Sequence, residues 1–232
     1  LLAMMDSSIG GKTGVDLMQG KNLVGSFHQP KFVLVDTNTL GTLPKRILNE
    51  GWAEGLKHGL ALDKSLLESF EKNASDLKKL DLDATTKLIK HSISIKAQKV
   101  TEDEFEKLGK RILLNYGHTI GHAIESITNY SSYLHGEAVS IGMMAAGHIS
   151  VEKNLLSNDD LIRQEDLLKT FNLPVRFKNL NIDNIKARIL SDKKRAQGKV
   201  HWVLLKDIGS AITSSDVTDS EITQALKNVS SI

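Results

Sequence analysis

The sequence predicts a mainly α-helical fold, entered through a short loop-and-strand segment and carrying a small β-hairpin near its C-terminus. Three observations carry that expectation. From about residue 45 onward, apolar residues recur at intervals of three and four, as in helices with one buried face. The first thirty residues are instead crowded with glycine and short polar side chains. Near the end, two apolar runs flank Asp207-Ile208-Gly209.

Taken in order, Asp6-Ser7-Ser8-Ile9-Gly10-Gly11-Lys12-Thr13-Gly14 and Gly20-Lys21-Asn22-Leu23-Val24-Gly25 read as loops with unusual backbone angles. Lys31-Phe32-Val33-Leu34-Val35-Asp36, apolar and β-branched after Pro30, reads as a buried strand. Helices are expected over 47–62, 64–73, 80–101, 110–128, 136–153 and 159–171. Pro44 suits an early helical position, and Gly136 and Pro174 punctuate later connections. Val200 to Leu205 and Ser210 to Thr213 pair as the hairpin, and a last helix runs from Asp219 to Asn228. No internal repeat or low-complexity linker interrupts the pattern.

A chain of 232 residues can bury one sizeable core, and 40% hydrophobic with 25% charged residues is ordinary for a soluble globular protein. A net charge of +2 is too small to point to nucleic acid or a membrane surface, and no apolar run reaches the length of a membrane span. The absence of cysteine removes disulfides, thiolate zinc sites and cysteine nucleophiles together, and suits a reducing compartment. The chain opens on Leu1 rather than methionine and reads as the middle of a protein.

Chemistry concentrates in a few stretches. In Asn115-Tyr116-Gly117-His118-Thr119-Ile120-Gly121-His122, helical spacing would align Arg111, Asn115, His118 and His122 on one face. Such a polar stripe between apolar neighbours is costly to bury without a role. Histidines four apart suit a divalent metal, although an isolated pair is as often two ordinary histidines. Glu54, followed one turn later by Lys57 and His58, adds a carboxylate in an apolar helix start, and His135 adds a third imidazole. A carboxylate with two imidazoles is a catalytic zinc set that leaves one coordination position open. Spacing leaves open whether His118 pairs with His122 or with His135. The plainer reading of Glu54 is a surface carboxylate paired with Lys57 or His58. Gly10-Gly11-Lys12-Thr13 resembles the end of a phosphate loop, but the first glycine of that motif is absent, which excludes a nucleoside triphosphatase. A glycine-flanked lysine still offers a point charge and free N–H groups to an anion. Lys21-Asn22 and Asp192-Lys193-Lys194-Arg195 repeat the theme, against the plain reading of solvated surface charge.

These stretches together resemble the 3-dehydroquinate synthase family. Asp6 to Gly14, Gly20 to Gly25, Ala53-Glu54 with Lys57, Leu114 to Glu125, His135-Gly136-Glu137-Ala138-Val139 and Asp192-Lys193-Lys194 carry the likeness in family order. The resemblance implies a cytoplasmic, homodimeric lyase of the shikimate pathway. It would convert 3-deoxy-D-arabino-heptulosonate 7-phosphate into 3-dehydroquinate and phosphate, with catalytic NAD and Zn2+, for which Co2+ can substitute. It further implies that residues 1–45 end an α/β NAD-binding domain and that residues 46–232 form the helical zinc- and substrate-binding domain.

By motif, Glu54, His118 and His135 would be the zinc ligands, with His122 an acid–base residue. Lys57, Lys96, Arg111 and Asn115 would contact substrate, and Lys12, Asn22 and one of Lys193 or Lys194 its phosphate end. Asp6, Lys12, Lys21 and the run Thr39, Leu40, Gly41 and Thr42 would line the dinucleotide. Glu106 matches a family acid in a loop, Glu104 to Gly109, that is one residue longer than usual. The nucleotide-binding portion that precedes these motifs in the family is not in this sequence, so the chain is expected to bind NAD weakly and not to turn over alone. Another sugar-phosphate cyclase, such as a 2-deoxy-scyllo-inosose synthase, is the nearest alternative, and a polyol dehydrogenase is less favoured because it lacks the phosphate lysines. A non-catalytic metal-binding fragment is the alternative of a different class.

Overall fold

The computed structural model describes residues 1–17, 20–195 and 200–231, the side chains of residues 16–17, 20–23 and 192–195 aside. A single π-helical turn, Ala3–Ser7, leads into an antiparallel hairpin of β1 (Lys12–Leu17) and β2 (Gly20–Phe27), in register at Gly14 opposite Gly25. A Cβ on Gly25 would lie 2.0 Å from the Thr13 carbonyl oxygen, so close strand approach requires glycine there. Two expectations fail here. The glycine-rich stretches form this hairpin rather than open loops, because Thr13, Val15, Val24 and Ser26 supply a ladder across the glycines. The run 31–36 is not a buried strand: it has no regular secondary structure, with Phe32 82% and Leu34 84% exposed. Its backbone finds no ladder partner among the described residues, and β-branched composition alone does not make a strand.

The helices follow the periodicity closely: α1 (Lys45–Leu62), α2 (Lys64–Lys78), α3 (Leu82–Glu102), α4 (His118–Ile127), α5 (His135–Glu152), α6 (Asn158–Thr170), α7 (Ile182–Arg195) and α8 (Asp219–Asn228). Asp63 caps α2 by accepting from the Ser65 and Leu66 N–H groups, and Asp81 caps α3 through Ala84. The expected helix 110–128 is divided. A 3-10 turn, Arg111–Asn115, ends in extended Tyr116, and Gly117 at φ +80° starts α4 in a new direction. Only glycine takes that angle cheaply, and a Cβ there would meet Met143 at 2.6 Å. Helix α7 was not anticipated, and it carries Lys193 and Lys194 in its last turn instead of on a glycine loop.

Helix α5 is buried nearly all round and forms the centre, packed by α1, α4, α6 and α8. Trp52, Phe70 and Phe171 join α1, α2 and the end of α6 with ring centroids 5.3 to 5.9 Å apart. The hairpin of β4 (Trp202–Asp207) and β5 (Ser210–Ser214) forms as expected, its Leu205 N–H donating to Ser150 on α5. A two-residue parallel pair, β3 (Phe177–Lys178) with β6 (Ser230–Ser231), completes the described strands. No helix among the described residues is long and apolar enough to cross a membrane.

Candidate metal and anion site

Three helices deliver the donors that sequence spacing could not sort. Glu54 projects from the middle of α1, His118 is the first residue of α4 and His135 the first of α5. Glu54 Oε1 lies 3.5 Å from His118 Nε2 and 3.3 Å from His135 Nε2. His122, more exposed, sits one turn along α4, its ring centroid 5.1 Å from that of His118 and 5.9 Å from that of His135. It groups with Glu125 and His135 instead of facing Glu54.

The outer nitrogens are held. His118 Nδ1 lies 3.2 Å from the Tyr116 carbonyl oxygen, and His135 Nδ1 lies 3.2 Å from Glu125 Oε2. Each contact turns Nε2 toward Glu54, the arrangement by which an imidazole is oriented for a cation. Tyr116 is itself fixed, the single proton of its buried hydroxyl shared between Gln164 Oε1 and Met143 O. The start of α5 is seated on α1: Gly136 N–H donates to Glu50 Oε2 at 2.8 Å, and Arg46 forms a two-pronged pair with Glu137.

Electrostatics divide the two imidazoles. Burial and then nearby Lys57 push His118 down to about 3, so it is neutral at any ordinary pH. Burial also works against charge on His135, but the hydrogen bond to Glu125 and the pull of the neighbouring Glu54 and Glu125 carboxylates outweigh it and raise the ring to about 10. Burial would raise Glu54, yet Lys57, His118 and His135 together more than offset it, and the carboxyl stays far below its ordinary range. Its Oε2 takes the Lys57 ammonium, while Oε1 is buried with no hydrogen-bond partner. A divalent cation where Oε1 and the two Nε2 atoms converge would satisfy that oxygen, and one carboxylate with two imidazoles is a donor set suited to zinc.

A chain of charges runs from this cluster along α3. Lys96 Nζ contacts Asp6 Oδ1 at 2.7 Å. Burial disfavours the Asp6 charge, but Lys57, His58 and Lys96 together hold its carboxyl well below the usual range. Burial pushes Lys96 down, and Asp6 opposes that shift. One turn further on, Val100 and the buried Arg111 pack on Gly10, where a Cβ would fall 2.7 Å from the guanidinium. Glu106 pairs with Lys12 and lies 3.6 Å from Arg111 Nε. Asp103, which accepts from the N–H groups of Lys107, Leu108 and Lys110, organises the Glu106 loop.

The structure thus brings together Asp6, Lys12, Glu54, Lys57, Lys96, Glu106, Arg111, His118, His122 and His135. The shared helical face expected for Arg111, Asn115, His118 and His122 does not exist, because Gly117 divides it, and Asn115 is exposed at the end of its 3-10 turn. Thr39, Leu40, Gly41 and Thr42 lie in a 3-10 turn, Thr37–Thr42, bound to the start of α3 through Thr37 and Thr86. Ten residues of helix, about 15 Å, separate Thr86 from Lys96. The side chains of Lys21, Asn22, Lys193 and Lys194 lie outside the described residues. Sequence reasoning missed Glu125 and Tyr116 as supporting groups; only Glu125, three residues after His122, carried a readable signal.

A family model for the 3-dehydroquinate synthase C-terminal region matches residues 51–195, and one for the N-terminal region matches residues 1–50. The chain belongs to the 3-dehydroquinate synthase family. It is 46% identical over 222 residues to a 3-dehydroquinate synthase of Prochlorococcus marinus (strain AS9601), covering 95% of this chain and 61% of that protein. It is 44% identical over 230 residues to one of Methylacidiphilum infernorum (isolate V4), covering 99% and 62%. The chain therefore spans about three fifths of the length of these 3-dehydroquinate synthases. Among solved structures it is similar to a 2-epi-5-epi-valiolone synthase from Streptomyces hygroscopicus subsp. jinggangensis 5008 with NAD+ and Zn2+ bound. That likeness has a TM-score of 0.90 at 30% identity, over 98% of this chain and 63% of that one. A 2-deoxy-scyllo-inosose synthase complexed with carbaglucose-6-phosphate, NAD+ and Co2+ aligns at 0.81 and 29%, over 98% and 64%.

Proposed function

We propose that this chain is the metal- and substrate-binding part of a cytoplasmic, homodimeric 3-dehydroquinate synthase. The enzyme converts 3-deoxy-D-arabino-heptulosonate 7-phosphate into 3-dehydroquinate and phosphate in the shikimate pathway. The observation that carries this reading is the unsatisfied Glu54 Oε1 facing two oriented imidazoles, with Lys57 on the other oxygen of the same carboxylate. Residues 1–45 end the NAD-binding domain, and residues 46–232 form the zinc and substrate domain.

Glu54, His118 and His135 hold the zinc. When bound, zinc supplies polarisation of a substrate hydroxyl and NAD a hydride acceptor that later returns the hydride. Lys57, Lys96, Arg111 and Asn115 bind and orient the polyhydroxylated substrate, and Lys12, Asn22 and one of Lys193 or Lys194 hold its phosphate. His122, beside both ligating imidazoles and open to solvent, moves the proton released as a substrate hydroxyl is oxidised. Glu106 neutralises Lys12 and Arg111. Asp6, Lys12, Lys21 and Thr39 to Thr42 line the dinucleotide. Oxidation acidifies the neighbouring C–H, phosphate leaves by elimination, and reduction, ring opening and aldol closure follow in the oriented substrate.

The test is phosphate release from the heptulosonate phosphate with NAD and zinc, by the polypeptide expressed in its natural reading frame. Release that is lost with a chelator and in His118→Ala supports the reading. A folded, zinc-loaded protein that releases none, yet cyclises a different sugar phosphate, would move it to the cyclases it resembles in structure.

A further inference from the structure

His58 follows Lys57 on α1 and is completely buried, but it belongs to neither the cation cluster nor the substrate lysines. Its Nδ1 lies 2.8 Å from Ser92 Oγ, a hydroxyl fully buried on α3, four residues before Lys96. Its Nε2 has no hydrogen-bond partner and points at Asp6 Oδ1 from 3.6 Å. A core histidine held only for packing has both ring nitrogens satisfied, because an orphaned buried N–H is costly. Here one is left aimed at a carboxylate oxygen. That same Oδ1 is the atom held by Lys96 at 2.7 Å.

The donors then follow from the inventory of each group. Asp6, an ionised carboxylate, can only accept, so His58 must carry its proton on Nε2. Nδ1 is then bare and accepts from Ser92, whose hydroxyl proton has one place to go. Burial keeps the His58 ring neutral, which agrees with a single ring proton. Asp6, Glu54 and His58 also lie close enough to face one cation. The Lys96 and Lys57 ammonium groups already sit on those two carboxylates, so a second metal is disfavoured.

We propose that His58, fixed by Ser92, is a positioning residue whose Nε2–H takes over the Asp6 carboxylate when Lys96 swings to an anionic substrate. In this exchange Lys96 leaves Oδ1, the His58 contact shortens to hydrogen-bond length, and the half-buried carboxylate never stands without a donor. The part that concerns the Lys96 ligand rests on the proposed function; the ring tautomer does not.

Two measurements test this. Nitrogen-15 spectra of the histidine rings in the zinc-loaded protein are expected to show His58 as the Nε2–H tautomer, and Ser92→Ala should leave it so, because Asp6 fixes the proton. In steady-state assays, His58→Phe is expected to raise KM for the heptulosonate phosphate about tenfold with kcat within threefold. His58→Gln, which keeps an N–H at the Nε2 position, is expected to restore KM to within threefold, with zinc content unchanged in all variants. An Nδ1–H tautomer in the parent, or equal KM values for the Phe and Gln variants, would overturn the role. If the parent releases no phosphate, the proposed function falls, and the tautomer still decides whether His58 serves Asp6.

Discussion

Zinc binding by this protein should expel one proton, and the proton should come from His135. In the metal-free site that ring lies between Glu54 and Glu125, which raise it to about 10, whereas His118 at about 3 has no proton to lose. At pH 7.5 the ring therefore stands about 2.5 units below its own titration. Displacing the proton costs a few kcal/mol, on the order of a hundredfold loss in apparent zinc affinity against a bare ring. Apparent affinity should rise about tenfold per pH unit from near pH 6.5 to near pH 9.5, where a ring of ordinary pKa would give a flat line. Stability runs the other way. His135 is raised above its unfolded value, so its contribution to the metal-free protein is complete below about pH 6.5. It is lost as pH climbs toward 10, a fall of order a few kcal/mol that zinc saturation should abolish. Calorimetry at pH 7.5 in two buffers of different ionisation heat counts the protons per zinc. A count near zero between pH 7 and 9, or a flat affinity profile there, would refute the assignment of the proton to His135.

Two further expectations concern stability. Gly136→Ala puts a Cβ 2.0 Å from the Glu50 carbonyl oxygen, forcing the first turn of α5 off α1. Denaturant unfolding should show a loss of about 1–3 kcal/mol or more, with reduced zinc content because His135 is the preceding residue. An unchanged midpoint and full zinc content would contradict that seat. Phe32→Ser with Leu34→Ser should change the unfolding free energy of this chain by no more than about 0.5 kcal/mol each, since both side chains are almost wholly exposed. A large loss would mean that the run is buried after all.

How much of this was legible depends on the range over which each feature is decided. Helices α3 and α8 were readable because their burial repeats every turn and Asp81 and Thr218 mark their starts, and α1 because a proline precedes it. The break at Gly117 was not, because it depends on Tyr116 finding Met143 and Gln164, partners 27 and 48 residues away. The run 31–36 has the composition of a strand, but a strand exists only with a ladder neighbour, which local sequence cannot supply. In the hairpin, glycine was read as looseness, although Gly25 marks a close strand approach. At the cation cluster, residue types pointed to a metal, but spacing could not choose between His122 and His135. Their separation is set by the α4–α5 packing, and only family resemblance made the choice legible.

Helix α3 also works as a ruler. Ser92, Lys96 and Val100 follow one another at single-turn intervals, meeting His58, Asp6 and Gly10 in turn. The separation between the imidazole end of the site and its Lys12–Arg111 end is thus graduated in four-residue steps along the helix, about 6 Å per division. A loop could be lengthened by an arbitrary amount, whereas a rigid graduated edge cannot. Drift toward longer or shorter ligands would therefore proceed in jumps of a whole turn, by moving a lysine four places along α3, and not by gradual stretching.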